Sequence, residues 1–262
     1  MLRGLYTSAL GMTTQMNRMD VISNNIANVN TGGYKKDKVI TQSFTEELMK
    51  HITDDTGEAN MLKFNNTSPV GKFSLGLFVD DMSTDFSTGP LKTTNGTFDL
   101  AVNGSGFFAV NYTNPNGQSE ERYTRDGAFT LSGDRTLMTK DGVPVAGVNG
   151  GNITVPDGSI AIGEDGAIYV DAEYVNQIRL VDFNDKTFLR KQGGNLYNAP
   201  AEAGLTAFTG TVEQGVLELS NVNSVREMVE MIEITRAYEA NQRMITTHDQ
   251  TMQRAVNDIG KK

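Results

Sequence analysis

Both ends of the chain carry a long apolar stripe with the spacing of an α-helix, and this feature limits the fold most strongly. Within residues 2–26 apolar side chains recur at alternating intervals of three and four, the pattern of a helix that packs along a seam. Residues 224–259 repeat the pattern. The predicted contact positions, which we call the seam residues, are Leu5, Met12, Met16, Met19, Ile26, Met231, Ile234, Tyr238, Ile245, Met252 and Ile259.

The C-terminal stripe predicts one continuous helix that is too long to bury its own apolar face. Such a helix would measure about 54 Å, and Ser224 with Glu227 matches a capping box at its start. A second apolar row lies beside the seam residues and comprises Val225, Met228, Ile232 and Thr235. We therefore expect the seam to pack against the N-terminal helix, against a neighbouring molecule, or against both.

Between the two ends the hydrophobic period changes from that of a helix to that of a strand. Residues 81–215 contain short alternating segments separated by Asn-Gly and Asp-Gly turns, which predict an antiparallel meander or barrel-like β-domain. Residues 39–80 are polar and irregular, and we interpret them as an extended connection with little secondary structure. The predicted class is α+β, with residues 1–38 and 216–262 forming a coiled-coil-like helical module. Such a chain has the organisation of a subunit built to be stacked.

The N-terminal stripe runs into the sequence SNNIANVNTGGYKK, residues 23–36, which contains poor helix formers. Asn accepts a left-handed backbone and caps exposed backbone groups with its side chain, so we expect the helix to end after Ile26. Asn24 and Asn25 are candidates either for hydrogen bonds to adjacent subunits or for local capping alone. Lys35 and Lys36 are placed favourably for the dipole at the C-terminus of this helix.

Charge and composition exclude several classes of function. The net charge of −9 argues against non-specific binding to nucleic acid or to anionic membranes. No apolar stretch is long enough to span a bilayer, and the N-terminal segment has neither the apolar core nor the cleavage site of a standard signal peptide. The chain contains no cysteine, which excludes disulfides, thiol catalysis and cysteine-bound metals.

Candidate catalytic and cofactor residues are few. Gly104, Gly106 and Ala109 match a dinucleotide fingerprint, but the sequence continues as a strand and predicts a hairpin. His51 and His248 have no partner at metal-ligand spacing, and His248 occupies a seam position where a packed polar residue is expected. We therefore predict no enzyme activity, no cofactor, no metal and no small-molecule substrate.

Three segments carry a resemblance to a known family. The first is MLRGLYTSALGM and the following QMNRMDVISNNIANVNTGGYKK; the second is DLAVNGSGFFAV with YTRDGAFTL and DGVPVAG; the third is GVLELSNVNSVREMVEMIEITRAYEANQRMITTHDQTMQ. Together they resemble the bacterial flagellar basal-body rod and hook proteins, although Gly32 stands where that family commonly has proline. The residues that match the family motifs include Asn24, Asn25, Asn28, Asn30, Thr31, Gly33, Tyr34, Ser220, Asn221 and Arg236.

The resemblance implies a structural subunit of the rod, the drive shaft between the flagellar motor and the hook. It implies a helical tube with the terminal helices in an inner coiled-coil layer and the β-domain in an outer layer. The implied partners are copies of the chain, other rod and hook proteins, the flagellar type III export apparatus and basal-body ring proteins. The implied location is the extracytoplasmic part of the basal body, reached without a cleaved signal peptide, and residues 235–253 resemble distal more than proximal rod subunits.

Two alternatives are left open. One is a proximal rod or hook subunit of the same family. The other, from a different class, is a secreted β-domain enzyme that acts on peptidoglycan, which would need a pocket with a perturbed carboxylate pair.

Overall fold

The structure, a computed structural model, describes residues 2–43, 47–51, 68–73, 76–114, 117–193 and 195–259. It has an N-terminal helix, a long antiparallel β region and a C-terminal helix, so the predicted order of elements is confirmed. The helices are α1 (Leu2–Ala27) and α2 (Ser224–Ile259). The strands are β1 (Asp37–Ser43), β2 (Glu47–His51), β3 (Ser68–Phe73), β4 (Leu77–Thr84), β5 (Leu91–Thr93), β6 (Leu100–Asn103), β7 (Phe107–Thr113), β8 (Ser119–Thr124), β9 (Phe129–Leu131), β10 (Leu137–Thr139), β11 (Ile160–Ile162), β12 (Ala167–Val170), β13 (Glu173–Gln177), β14 (Leu180–Phe183), β15 (Arg190–Lys191), β16 (Leu196–Asn198), β17 (Leu205–Ala207), β18 (Thr211–Gln214) and β19 (Val216–Glu218).

The chain divides into two units. Unit one comprises Met1–Ser23, Lys38–Met82 and Met228–Lys262. Unit two comprises Asn24–Asp37 and Ser83–Glu227. The division therefore assigns the last turn of α1 and the first turn of α2 to unit two, which also contains most of the strands.

In unit one the two helices approach each other at two glycines of α1. A Cβ atom added to Gly4 would lie 2.7 Å from His248 Nε2, and one added to Gly11 would lie 2.9 Å from Asn241 Nδ2. From the first pair to the second, the residue number rises by seven in α1 and falls by seven in α2. The two helices therefore run antiparallel. His248 therefore packs against α1, as expected for a polar residue in a helix seam.

Strand pairs occupy part of the predicted connection in unit one. Strand β1 pairs with β4, and β2 pairs with β3 in antiparallel register. The expectation of little secondary structure was therefore wrong for the described residues of this range. Exposed and partly buried side chains alternate along most of β1. Because most of these side chains are polar, the sequence lacks the alternation of apolar and polar residues that indicates a strand. Residues 52–67 of the predicted connection lie outside the described part of the chain.

Unit two is built around a six-stranded antiparallel sheet with the order β15-β16-β8-β7-β14-β17. Strand β7 separates two apolar clusters, because adjacent residues of a strand point to opposite faces. Phe108 packs with Leu100 and Leu137 on one side, and Phe107 packs with Phe183 on the other. Smaller antiparallel pairs, such as β18 with β6 and β19 with β5, complete the unit.

The glycine-rich segment that resembles a dinucleotide fingerprint links β6 to β7, and no helix follows it. The predicted hairpin was wrong, because β6 pairs with β18 while β7 pairs with β8 and β14. The ring of Phe208 lies against Gly106 and occupies the space that a Cβ would fill. Gly104 has a φ of +127°, which turns the chain from one small sheet into the larger one.

Candidate functional site

The exit from α1 is a polar turn made by the asparagine motif. Helix α1 ends at Ala27, one residue after the last seam residue, as predicted. Asn28 donates from its backbone N–H to the Asn24 carbonyl over 3.1 Å and from Nδ2 to the same oxygen over 2.9 Å. Thr31 Oγ1 donates to Asn28 Oδ1 over 3.2 Å, so the side chains cap this helix end and the turn that follows.

The backbone of this exit differs from the prediction at the asparagines. Within residues 24–37, all of which the structure describes, only Gly33 has a positive φ, at +63°. The predicted left-handed asparagine backbone was therefore wrong, because the asparagine side chains supply the caps instead. A Cβ on Gly33 would overlap the backbone of Arg125 and Asp126, and Gly33 N donates to Glu218 O over 2.8 Å.

Asn25 is the centre of the site, with an exposed fraction of only 2%. Its Nδ2 donates to Asp37 O over 3.0 Å and to Glu227 Oε2 over 3.3 Å. Its Oδ1 accepts from Asp37 N and from the Tyr34 hydroxyl, each over 3.1 Å. The amide thus uses two donors and two acceptor positions inside one unit. Asn25 therefore acts inside its own chain, and the predicted hydrogen bond from Asn24 or Asn25 to an adjacent subunit stays a prediction.

The start of α2 is joined to the same site. Asn223 Oδ1 accepts from Arg226 N over 3.1 Å and is the cap of the helix. The predicted capping box of Ser224 and Glu227 was wrong, because the buried Glu227 carboxylate accepts from Asn25 instead of turning back on the helix end. The last turn of α1 and the first turn of α2 are therefore held together by one buried hydrogen bond.

A buried ionic cluster lies on the other side of the exit. Lys35 is fully buried, and its ammonium donates to Glu218 Oε1 and, over 2.8 Å, to Ser87 O. Arg125 Nη1 donates to Glu218 Oε2 over 3.3 Å, and Gly89 N donates to Oε1 over 2.8 Å. The expected dipole role of Lys35 was wrong, because its side chain turns inward to this carboxylate. Burial lowers the pKa of Lys35 and of Arg125, and Glu218 opposes the shift of both.

A second lysine closes the exit turn from outside the motif. Lys191 Nζ donates to Asp37 Oδ2 over 2.8 Å and to the Lys35 carbonyl over 2.5 Å. The same ammonium lies 4.1 Å from the centroid of the Tyr34 ring, a cation–π contact. Burial, with the nearby carboxylates of Asp37 and Glu227, raises the pKa of Tyr34, so its hydroxyl remains a donor at all ordinary pH values.

The returning chain contributes the remaining motif residues. Asn221 Oδ1 accepts from Lys36 N over 2.8 Å, and Asn221 Nδ2 donates to Asp85 O over 2.8 Å. Ser220 Oγ accepts from Val222 N over 3.2 Å. We call residues 24–37 together with residues 218–227 the hub. It contains every predicted motif residue except Arg236, which is exposed on α2 in unit one, and Asn30 is exposed at its surface.

The seam residues are only partly covered. Ile234 is buried, with 4% exposed, whereas Met16 is half exposed. The side chain of Ile259 lies outside the described part. The partly buried members are Leu5, Met12, Met19, Ile26, Met231, Tyr238, Ile245 and Met252. The antiparallel partner within unit one thus leaves apolar surface uncovered.

A row of α2 beside the seam is open to solvent. Val225 is 70% exposed and Ile232 is 54% exposed, with Met228 and Val229 between them about half exposed. Met228 and Val229 follow Val225 by three and four residues, and Ile232 follows them by four and three, so the residues lie on one face of the helix. We call them the exposed row.

Sequence reasoning missed the ionic cluster and Lys191. The partners Lys35 and Glu218 are 183 residues apart, and local spacing cannot indicate such a pair. The available signal was the charge of Glu218 in the otherwise apolar strand β19. Among the described residues no cluster has the composition of a metal site, and no helix there is long and apolar enough to cross a membrane.

Replacing Asn25 tests the hub. Asn25→Ala leaves the Glu227 carboxylate and the Asp37 backbone without their buried partner, so the free energy of unfolding should fall by about 3 kcal/mol. The matched control Asn30→Ala, at an exposed position of the same motif, should cost less than about 1 kcal/mol. Chemical denaturation followed by circular dichroism measures both values, and equal losses would contradict the central role of Asn25.

Replacing Glu218 tests the ionic cluster. Glu218→Gln leaves two buried cations without a carboxylate and should lower the free energy of unfolding by about 3–5 kcal/mol. The exposed control Glu202→Gln should change it by less than about 0.5 kcal/mol. Adding Lys35→Met to Glu218→Gln should recover part of the loss, since it removes one uncompensated charge. A double variant that is less stable than Glu218→Gln alone would show that Lys35 stabilises the unit by other contacts.

Comparison with known proteins gives three family matches in chain order. Residues 5–35 match the model described as flagella basal body rod protein. Residues 101–170 match the flagellar hook protein FlgE/F/G D1 domain, and residues 213–258 match the flagellar basal body rod FlgEFG protein C-terminal model. These descriptions are of structural flagellar proteins and not of enzymes.

Full-length relatives agree with these matches. The chain is 36% identical over 272 residues to the flagellar basal-body rod protein FlgG of Bacillus subtilis, covering 98% of this chain and 99% of the relative. It is 37% identical over 260 residues to the flagellar basal-body rod protein FlgF of Caulobacter vibrioides, covering 98% of each. It is 31% identical over 275 residues to the flagellar hook-basal body complex protein FlhO of Bacillus subtilis, covering both chains completely. The chain therefore belongs to the flagellar basal-body rod protein family.

Proposed function

We propose that this protein is a structural subunit of the flagellar rod that polymerises into a helical tube and transmits rotation from the motor to the hook. The observation that carries the proposal is the exposed row of α2, which lies beside a seam that is itself only partly covered. Family membership supports a role in the axial structure of the basal body. The tube and the distal position are our inferences.

The exposed row has the character of an interface between copies. Covering such an exposed helix face with a second helix stabilises the assembly by about 25 cal/mol per Å² of apolar surface that is buried. The antiparallel helix pair already occupies the seam side of α2, so the row needs a partner from another molecule. A contact between two different surfaces of identical copies propagates as a helix rather than closing as a dimer. We infer a coiled-coil-like packing of terminal helices between neighbouring copies.

We propose that the partners are copies of the chain and other axial proteins of the rod and hook. The proposal includes passage through the flagellar export apparatus without a cleaved signal peptide, and contact with basal-body ring proteins in the extracytoplasmic part of the basal body. The resemblance of all three sequence segments to flagellar axial proteins supports it. Immunogold labelling of purified basal bodies tests the location, with label expected on the rod.

The position along the rod is a finer proposal. The resemblance of residues 235–253 to distal rod subunits favours the distal part. A proximal rod or hook position is the second candidate, because a family model described as a flagellar hook protein domain matches residues 101–170. Gold label next to the hook would support the distal position, and label next to the motor or beyond the rod would support the second candidate. No residue of the described chain favours a peptidoglycan-acting enzyme.

A pair of substitutions in α2 tests the interface. Ile232→Asp places a charge in the exposed row, so it should raise the concentration needed for polymerisation at least about tenfold while the monomer unfolds as before. Ile234→Asp places the charge at a buried seam position and should destabilise the helix pair as well. Polymerisation is measured by sedimentation, and monomer stability by thermal unfolding.

The control variant is Gln242→Asp, which adds the same charge at an exposed polar position of α2. It should polymerise like the unmodified chain. If Ile232→Asp polymerises as readily as Gln242→Asp, the exposed row is not the interface.

A further inference from the structure

Helix α1 makes two sets of contacts inside unit one. Gly4 and Gly11 lie against α2. The buried Thr14 donates from Oγ1 to the carbonyl oxygen of Leu77, at the start of β4, over 3.3 Å. Successive residues of an α-helix are turned by about 100°, so the glycines and Thr14 lie on neighbouring faces of α1. These contacts occupy one side of the helix.

The methionines of α1 lie on the other side of the helix. Met12, Met16 and Met19 recur at intervals of four and three, which places them on one face, about 100° from the glycines and further from Thr14. Met16 is half exposed, and Met12 and Met19 are partly buried. We call these three residues the methionine face. It takes part in neither of the two contacts.

We propose that the methionine face of one copy packs against the exposed row of α2 in a second copy. The inference rests on the proposed function and names the surface that covers the exposed row. The row lies on a different face of α2 from Asn241 and His248, which contact α1 of the same copy, so both helix pairs can exist at once. Methionine side chains are flexible and fill irregular apolar gaps, so they suit the branched side chains of the row.

The direction of the contact follows from the proposed assembly. Copies in a helical tube are related by rotation about the axis and translation along it, so α1 has the same direction along the axis in every copy. Within one copy α1 and α2 are antiparallel. Helix α1 of one copy and helix α2 of the next are therefore antiparallel as well.

The spacing of the two faces matches in this antiparallel arrangement. The intervals are three and four along the methionine face when counted backwards from Met19, and three and four along the exposed row when counted forwards from Val225. Residue numbers run in opposite directions on antiparallel helices, so the two faces meet in three apolar layers. The pairs are Met19 with Val225, Met16 with Met228, and Met12 with Ile232.

Opposite charges flank the same contact. Asp20 directly follows Met19, and Arg226 directly follows Val225. One step along each of two antiparallel helices turns towards the same side of the pair, so these two positions lie side by side, about 3 Å apart along the axis. Both side chains are exposed, and no ion pair of the described chain includes either of them. The contact therefore brings a carboxylate of one copy to a guanidinium of the next.

Cysteine cross-linking tests the contact directly, because the chain contains no cysteine of its own. Two full-length variants, Met19→Cys and Val225→Cys, are mixed under assembly conditions and oxidised. A disulfide should join the two chains, since the two positions share a layer, and mass spectrometry identifies the linked peptides. Met12→Cys mixed with the same Val225→Cys chain is the control and should remain unlinked, because Met12 lies about 10 Å away from Met19 along α1.

Reversal of the two charges tests the flanking pair. Asp20→Lys should raise the concentration needed for polymerisation about fivefold, because two cations then meet across the contact. Adding Arg226→Glu to the same chain restores opposite charges in every contact and should bring this concentration back to within about twofold of the unmodified chain. The control adds Arg236→Glu instead, at another exposed arginine of α2, and should restore nothing.

The outcomes separate this contact from the tube itself. Tubes that form without a disulfide between the Met19→Cys and Val225→Cys chains would overturn the contact and leave the tube standing. That disulfide in small oligomers of a chain that forms no tubes would support the contact and contradict polymerisation into a tube. Equal cross-linking of the Met12→Cys control, or equal recovery with Arg236→Glu, would overturn the antiparallel contact.

Discussion

The structure depends on a small set of buried polar groups that pair with one another. Asn25 makes four hydrogen bonds in a space from which water is almost excluded, and the Glu227 carboxylate is one of its partners. A buried polar group without a partner costs about 1–3 kcal/mol, so each bond makes the neighbouring ones obligatory. The same region holds the ion cluster of Lys35, Glu218 and Arg125. The path by which the chain leaves α1 and the path by which it enters α2 are thereby fixed together.

This constraint bears on how the helices form. Starting a helix is unfavourable by a factor of about 1,000, whereas extending one costs little. The hub already holds the last turn of α1 through Asn25 and Asn28, and the first turn of α2 through Asn223 and Glu227. Both helices therefore have a formed turn from which to extend. Their remaining length has a partly covered seam and an exposed row, so its stability depends on contacts that a neighbouring copy would add.

The sequence was sufficient where the signal was local. Alternating intervals of three and four predicted both helices, and the end of α1 followed from the poor helix formers after Ile26. Turn residues predicted the antiparallel β region but not its pairing. The segment around Gly104 joins two sheets instead of closing a hairpin. The hub could not be predicted, because its key bond joins Asn25 to Glu227 across 202 residues. The asparagine motif indicated that the turn mattered, and the structure shows that its central residue acts inside the molecule.

The central claim is that the hub holds its structure in the free subunit while the far parts of the helices need a neighbour. Hydrogen exchange on a verified monomer, repeated after assembly, measures this most directly. The account predicts slow exchange in the monomer at the amides of Gly33, Lys36 and Asp37, comparable to strands β7 and β8. It predicts fast exchange in residues 239–257 of α2 that becomes slow on assembly. Residues 239–257 as protected in the monomer as the β-rich core, or a hub that exchanges freely, would contradict it.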